Sequence, residues 1–175
     1  MQRLEAAYAR LLDALALIAC ALILGMTLMI CADVFLRNVR IIPSTVGLAW
    51  SNEISEAMLY LVTMLTAPWL LRRGQHIRVD IILRAVPPLV GWLFEWIVDV
   101  LAFACCAVIA YYSARAAWGS YTAGSLSIKT LVTPEWWLLA VLPVAFALLT
   151  VEMAFRMRRL YLGPRTARDD AVSTG

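Results

Sequence analysis

Charge is scarce in this sequence: 15% of its 175 residues are Asp, Glu, Lys or Arg, against roughly 25% in an ordinary soluble domain. That shortage excludes a conventional water-facing surface. Histidine is scarcer still, His76 being the single one, so no pair of facing imidazoles exists to clamp a haem between helices. The four cysteines, Cys20, Cys31, Cys105 and Cys106, lie inside apolar runs without a CxxC or Cys/His pattern, and are expected to be small core residues. No glycine-rich phosphate cradle, nucleophile elbow or HExxH motif occurs, and nothing groups a nucleophile, a base and an oxyanion donor. An enzyme is therefore not expected, nor a metal or another cofactor. The net charge of +3 does not signal nucleic acid, because the arginines stand beside hydrophobic segments and form no stripe with aromatics. Internal repeats and low-complexity tracts are also missing.

What the sequence has in excess is apolar length. Hydrophobic residues make up 63% of the chain, gathered in several runs that reach the roughly 20 residues needed to cross about 30 Å of hydrocarbon as a helix. Lipid is the solvent that accommodates them, and the expected class is an all-α integral membrane protein with four transmembrane helices. The spans are expected at about 11–35, 47–71, 89–118 and 134–156, within a single domain covering 1–162. A polar tail, 163–175, follows. The stretch Leu17-Ile18-Ala19-Cys20 resembles a lipoprotein cleavage box, but the apolar run continues from Ala21 to Ile30 and Asp13 interrupts its start, which fits an uncleaved anchor better.

Local signals refine this picture. Before the first span, Leu4, Ala7, Tyr8 and Leu11 recur at helical spacing opposite Arg3 and Arg10, the pattern of a helix lying on the membrane surface. Pro68 predicts a kink or an early stop in the second span. Pro134 suits the first turn of the fourth helix, and Trp136 and Trp137 suit the interface. Basic residues set the orientation. With both termini in the cytoplasm, the inner regions hold Arg3, Arg10, Arg72, Arg73, Arg78, Arg84, Arg156, Arg158, Arg159, Arg165 and Arg168, and the outer ones only Arg37, Arg40, Arg115 and Lys129. That bias places both termini inside.

Ionisable residues at membrane depth are candidate functional groups. Asp33, Glu53 and Glu56 are expected to gather at the outer face near Arg37, Arg40 and Arg115. Asp13, Glu95 and Glu152 are expected at the inner face near Arg72, Arg84 and Arg156. Asp99 stands apart, about 16 Å of helix rise past Pro88 and on the same face as Glu95. Two readings of it remain open: a polar contact between helices, involving Glu95 and Asp99, or a proton relay in a small self-associating proton-coupled transporter.

One stretch is more specific. Trp50-Ser51-Asn52-Glu53 opens the second span, Arg72-Arg73-Gly74-Gln75-His76-Ile77-Arg78-Val79-Asp80 follows it, and Pro87-Pro88 precedes the third. Gly74 permits the turn that ends a helix. Val79, Ile82, Leu83 and Val86 then recur on one helical face, with Asp80 and Arg84 four residues apart, as in a short interfacial helix. Together these resemble the small, Q-type membrane subunit of the tripartite ATP-independent periplasmic (TRAP) transporters, whose pattern is a tryptophan and glutamate opening the second span, an Arg-Gly-x-His-hydrophobic-x-Val-Asp loop and a proline-bounded third span. The chain departs from it at Glu56, where a basic residue is common, and at Ala67-Pro68, where a Gly-Ala pair is. The resemblance implies a scaffold subunit of a sodium-coupled transporter for organic acids (dicarboxylate, keto acid or sialic acid) in the prokaryotic inner membrane. Its implied partners are a large M-type membrane subunit, a periplasmic substrate-binding protein and membrane lipids. Trp50, Glu53, Arg73, Gly74, His76 and Asp80 become the candidate subunit interface.

Overall fold

The computed structural model describes residues 2–38, 50–73, 87–129 and 131–162. Four helices carry the fold: α1 (Gln2–Asn38), α2 (Ser51–Arg72), α3 (Pro88–Ala123) and α4 (Trp136–Leu162). A two-stranded hairpin, β1 (Leu126–Ile128) and β2 (Val132–Pro134), joins α3 to α4. All four helices are long and apolar enough to cross a membrane. At 1.5 Å per residue, α1 and α3 extend for about 55 Å and α2 for about 33 Å, so the long pair either tilts or projects beyond the hydrocarbon.

The principal packing runs in the order α1–α2–α4–α3, with α3 lying along α4 and α2 between α1 and α4. The least apolar of the four helices is α2, which lies between two others. The interior is small and unusually polar. Leu12, Ala19, Leu71, Ala145, Met153 and Leu160 are buried hydrophobics, and Ser51, Glu95, Asp99, Ser113 and Glu152 are buried beside them. Large hydrophobics such as Leu17, Leu24, Leu93, Leu101 and Val144 face outward. A soluble protein rarely exposes apolar surface on this scale, whereas hydrocarbon accepts it without cost.

Each helix end has a local cause. Pro87 and Pro88 start α3 where the first amide protons lack intrahelical acceptors anyway, and the amides of Val90 and Gly91 bond back to the Pro87 carbonyl. Gly124 ends it in the left-handed region (φ 63°, ψ 30°), with the amide of Ser125 donating to Ser120 O at 3.2 Å. The chain then pairs Leu126 with Pro134, Ser127 with Thr133 and Ile128 with Val132. The amide of Glu135 closes the hairpin base on Ser125 O at 3.1 Å.

Several sequence expectations change here. The amphipathic start, expected flat on the membrane, is continuous with the first span, and Tyr8 packs on Phe155 of α4 (ring centroids 5.6 Å apart) and donates its hydroxyl to Leu148 O at 2.8 Å. Packing against α4 competes with surface binding for the same apolar stripe. Helix α2 passes Pro68, which is fully buried, and ends at Arg72. Pro134 closes β2 instead of opening α4, because the hairpin occupies the place expected for a helical turn. Cys20, Cys31 and Cys105 are exposed and Cys106 partly so; in lipid an apolar residue gains little by turning inward. The expected interfacial helix at 78–86 lies outside the described residues.

Because Gly124 holds a left-handed conformation, Gly124→Ala is expected to destabilise the protein by about 1 kcal/mol, read as a lowered midpoint of thermal unfolding in detergent.

Candidate functional site

The ion pairs collect toward the two ends of the helical assembly. At the arginine-rich end, α4 carries Glu152, Arg156 and Arg159 at positions i, i+4 and i+7, which places them along one face. Glu152 is fully buried and accepts from two guanidiniums, Arg72 of α2 at 3.3 Å and Arg159 of its own helix. Arg72 reaches further, to the Glu5 carbonyl at 3.4 Å and over the Tyr8 ring at 5.8 Å. One buried carboxylate thus gathers α1, α2 and α4. Beside it, Arg156 Nε lies 3.0 Å from Asp99 Oδ1, with side chains 13% and 2% exposed, joining α4 to α3. Glu95 is buried one turn before Asp99, next to Trp92 and Trp96, whose rings meet edge to face. A shallower contact completes this end: Asp13 accepts from Trp69 Nε1 at 3.0 Å, and Arg73 lies 4.4 Å over the Trp69 ring and 4.0 Å from Asp13.

At the opposite end the hairpin folds over α2. Glu53 Oε2 accepts the amide of Leu131 at 2.9 Å, and Glu56 pairs with Lys129 at 2.9 Å. The hydrogen bond to Glu56 holds the Lys129 ammonium above the ordinary lysine range. The protonated ammonium is the form favoured, so as the pH is raised this contact persists through neutral pH and gives way in strong alkali. Tyr60 donates to Leu138 O at 3.1 Å, tying α2 to the start of α4. Trp118, Tyr121, Trp136 and Trp137 form a train of rings 5.5 to 6.0 Å apart at the same level.

The candidate residues do not form one patch. Trp50 and Glu53 begin α2 and Arg73 follows its end, about 30 Å away, while Gly74, His76 and Asp80 lie outside the described residues. Of the inner carboxylates, Glu152 meets Arg72 and Arg159 and Asp13 meets Arg73, while Arg156 lies beside Asp99 and Arg84 is outside the described residues. At the outer end Lys129 and the hairpin backbone, not Arg115, take Glu56 and Glu53. Arg40 is outside the described residues. What the sequence reading missed is the partner of Asp99; the spacing of Glu152, Arg156 and Arg159 along α4, matched by Glu95 and Asp99 along α3, was the available signal. Among the described residues no group of three or more His, Cys, Asp or Glu side chains is disposed to hold a metal ion.

Residues 26–163 match the family model of the tripartite ATP-independent periplasmic transporters, DctQ component. The chain belongs to the DctQ family. No curated protein matches it. It is therefore a multi-pass membrane protein and the small membrane component of a TRAP transporter, a transport subunit that associates with other TRAP components. In this DctQ chain both ends of the helical assembly belong to the matched region except the first part of α1, which brings Glu5, Tyr8 and Asp13 to the arginine cluster.

Removing one partner of a buried pair strands the other charge. Arg156→Leu is expected to lower stability by about 3 kcal/mol, and Asp99→Leu combined with Arg156→Leu to restore most of it. Thermal unfolding of the two variants against the parent protein checks this; equal destabilisation by the single and double changes would contradict the pairing.

Proposed function

We propose that this DctQ chain is the static scaffold of a sodium-coupled TRAP transporter for organic acids, bracing a large M-type subunit that holds the substrate and sodium sites while a periplasmic binding protein delivers the substrate. The observation that carries this reading is the commitment of the deep carboxylates. Glu152 and Asp99 are each engaged by arginine within the chain, which suits parts that stay fixed relative to one another. A brace needs rigid contacts between its own helices and apolar faces for others, and the exposed flank of α1 supplies the second requirement.

Orientation belongs to the same proposal. The arginine-rich end lies in the cytoplasm and the hairpin end in the periplasm, by the excess of arginine beside the first, in the inner membrane of a prokaryotic cell. Trp50 and Glu53 then face the periplasm, Arg73, Gly74, His76 and Asp80 the cytoplasm, and the subunit interface comprises two groups at opposite ends of α2.

The competing reading makes Asp99 the proton site of a self-sufficient transporter. Protonation of Asp99 would give up its ion pair with the guanidinium of Arg156 at 3.0 Å, a cost the scaffold does not incur.

Purification from native membranes is expected to yield this chain together with a larger multi-span protein. Trp50→Ala, Glu53→Ala and His76→Ala are each expected to weaken that association or the uptake rate roughly fivefold, the effect of about 1 kcal/mol at an interface, while membrane insertion is unchanged. A reporter active only in the periplasm is expected to work after Lys129 and to stay silent after Leu162. Substrate movement by the chain alone in proteoliposomes, abolished by Asp99→Asn, would overturn the scaffold.

A further inference from the structure

The arginine of α3 that meets no carboxylate points to a ligand from outside the chain. Arg115 is exposed and lies on α3 about 12 Å before the last residue of the helix. At this end Arg37 has Asp33 at 3.0 Å and Lys129 has Glu56 at 2.9 Å. Among the described residues no carboxylate pairs with Arg115. Its direction explains why. Ser113, Ala117 and Ser120 are the covered positions on this stretch of α3, and Arg115 stands two residues from Ser113 and two from Ala117, about 200° around the helix from each. The guanidinium therefore leaves the helix on the side opposite α4.

Its neighbours on that side are aromatic. Tyr111, Tyr112 and Trp118 lie four before, three before and three after it, which makes one stripe, and each is more than half exposed. The two tyrosine rings meet edge to face at 5.4 Å, and Trp118 continues into the ring train with Tyr121 and Trp136. Exposed tryptophan and tyrosine mark the level of the lipid headgroups. Arg115 sits only about 4.5 Å of helix rise inside Trp118, within the span that an arginine side chain covers when it snorkels to that level.

We propose that Arg115, with Tyr111, Tyr112 and Trp118, forms a binding site for the phosphate of a membrane phospholipid in the leaflet on the hairpin side. The chemistry is complementary. A planar guanidinium offers paired N–H donors to phosphate oxygens, the tyrosine hydroxyls can donate to glycerol or headgroup oxygens, and the rings cover the upper acyl chain. A charge facing hydrocarbon without an anion is costly, and the phospholipid removes that cost without a second protein. The site stands whether or not the chain is a scaffold, since it requires only that α3 spans the bilayer with this part of its outer face toward lipid.

The test compares the purified full chain, with whatever partner accompanies it, as parent protein and as Arg115→Gln and Arg115→Lys. Delipidated samples are titrated with phosphatidylglycerol, with diacylglycerol of the same chains and with inorganic phosphate, and bound lipid is counted by native mass spectrometry. Phosphatidylglycerol is expected to bind the parent protein and to bind Arg115→Gln roughly fivefold more weakly, with Arg115→Lys between them. Diacylglycerol and free phosphate are expected to leave no retained adduct. Equal phosphatidylglycerol binding by the parent and Arg115→Gln overturns the proposal. So does loss of a partner protein from Arg115→Gln with lipid binding unchanged, which would assign the guanidinium to a partner carboxylate. Thermal unfolding of all three proteins separates a binding defect from misfolding.

Discussion

The pairing of buried carboxylates with arginines governs how the helices of this protein meet. In hydrocarbon a leucine gains almost nothing by moving from lipid to a helix interface, so apolar faces alone do not specify which helix lies against which. A carboxylate is different, because without a counter-charge it costs several kcal/mol in a medium of low dielectric. Glu152 therefore draws Arg72 of α2 to α4, and Asp99 of α3 draws Arg156. These contacts join α2 to α4 and α4 to α3, and the Glu5 carbonyl and Asp13 of α1 meet Arg72 and Trp69 of α2, which completes the observed order α1–α2–α4–α3. Replacing a buried ion pair by matched hydrophobic groups is often neutral for stability, so the arrangement is better understood as a device of specificity, excluding pairings that would leave a charge in lipid.

The opposite end uses weaker, water-facing contacts for a related purpose. Lys129 and Glu56 are both more than half exposed, and such a pair contributes little by itself. Its position gives it meaning: with the amide of Leu131 on Glu53, it keeps the α3–α4 hairpin folded over the start of α2. The assembly is consequently tied at both ends, by deep charges at one and by a folded turn at the other. Tyr8 and Tyr60 add hydroxyl bonds to carbonyls of α4 at 2.8 and 3.1 Å. Contacts at both ends favour a body that moves as a unit, which is what the proposed scaffold role asks of it.

Much of this was legible in the sequence, for physical reasons that differ between elements. The four helices follow from uninterrupted apolar length, and Pro87-Pro88 marks the start of α3 directly. The boundaries slipped where two signals competed. Hydropathy falls before α3 ends, so its last turns to Ala123 looked like loop, and three-residue strands are too short for alternation to register. The start of α1 was misplaced because amphipathic periodicity describes a helix on a membrane surface and a helix on another helix equally well; Tyr8 against Phe155 decides between them. The cysteines were misassigned by a rule of aqueous solvent, in which small apolar residues go inside.

The charges show the same division. Depth and sign were enough to place Glu152 near Arg72, but Asp99 looked isolated because its partner lies on another helix 57 positions along the chain, and spacing within one helix carries no information on crossings between two. Arg115 was grouped with the outer carboxylates by depth alone, and depth does not report direction around a helix. Ser113 and Ala117 do, since covered neighbours on one side imply an open position on the other. Charges turned inward find their counter-ions in the chain and set its internal packing; a charge turned outward at headgroup level must find one in its surroundings. One electrostatic requirement, that no charge remain alone in hydrocarbon, thus accounts both for how the helices are joined and for what the outer face of α3 presents to the membrane.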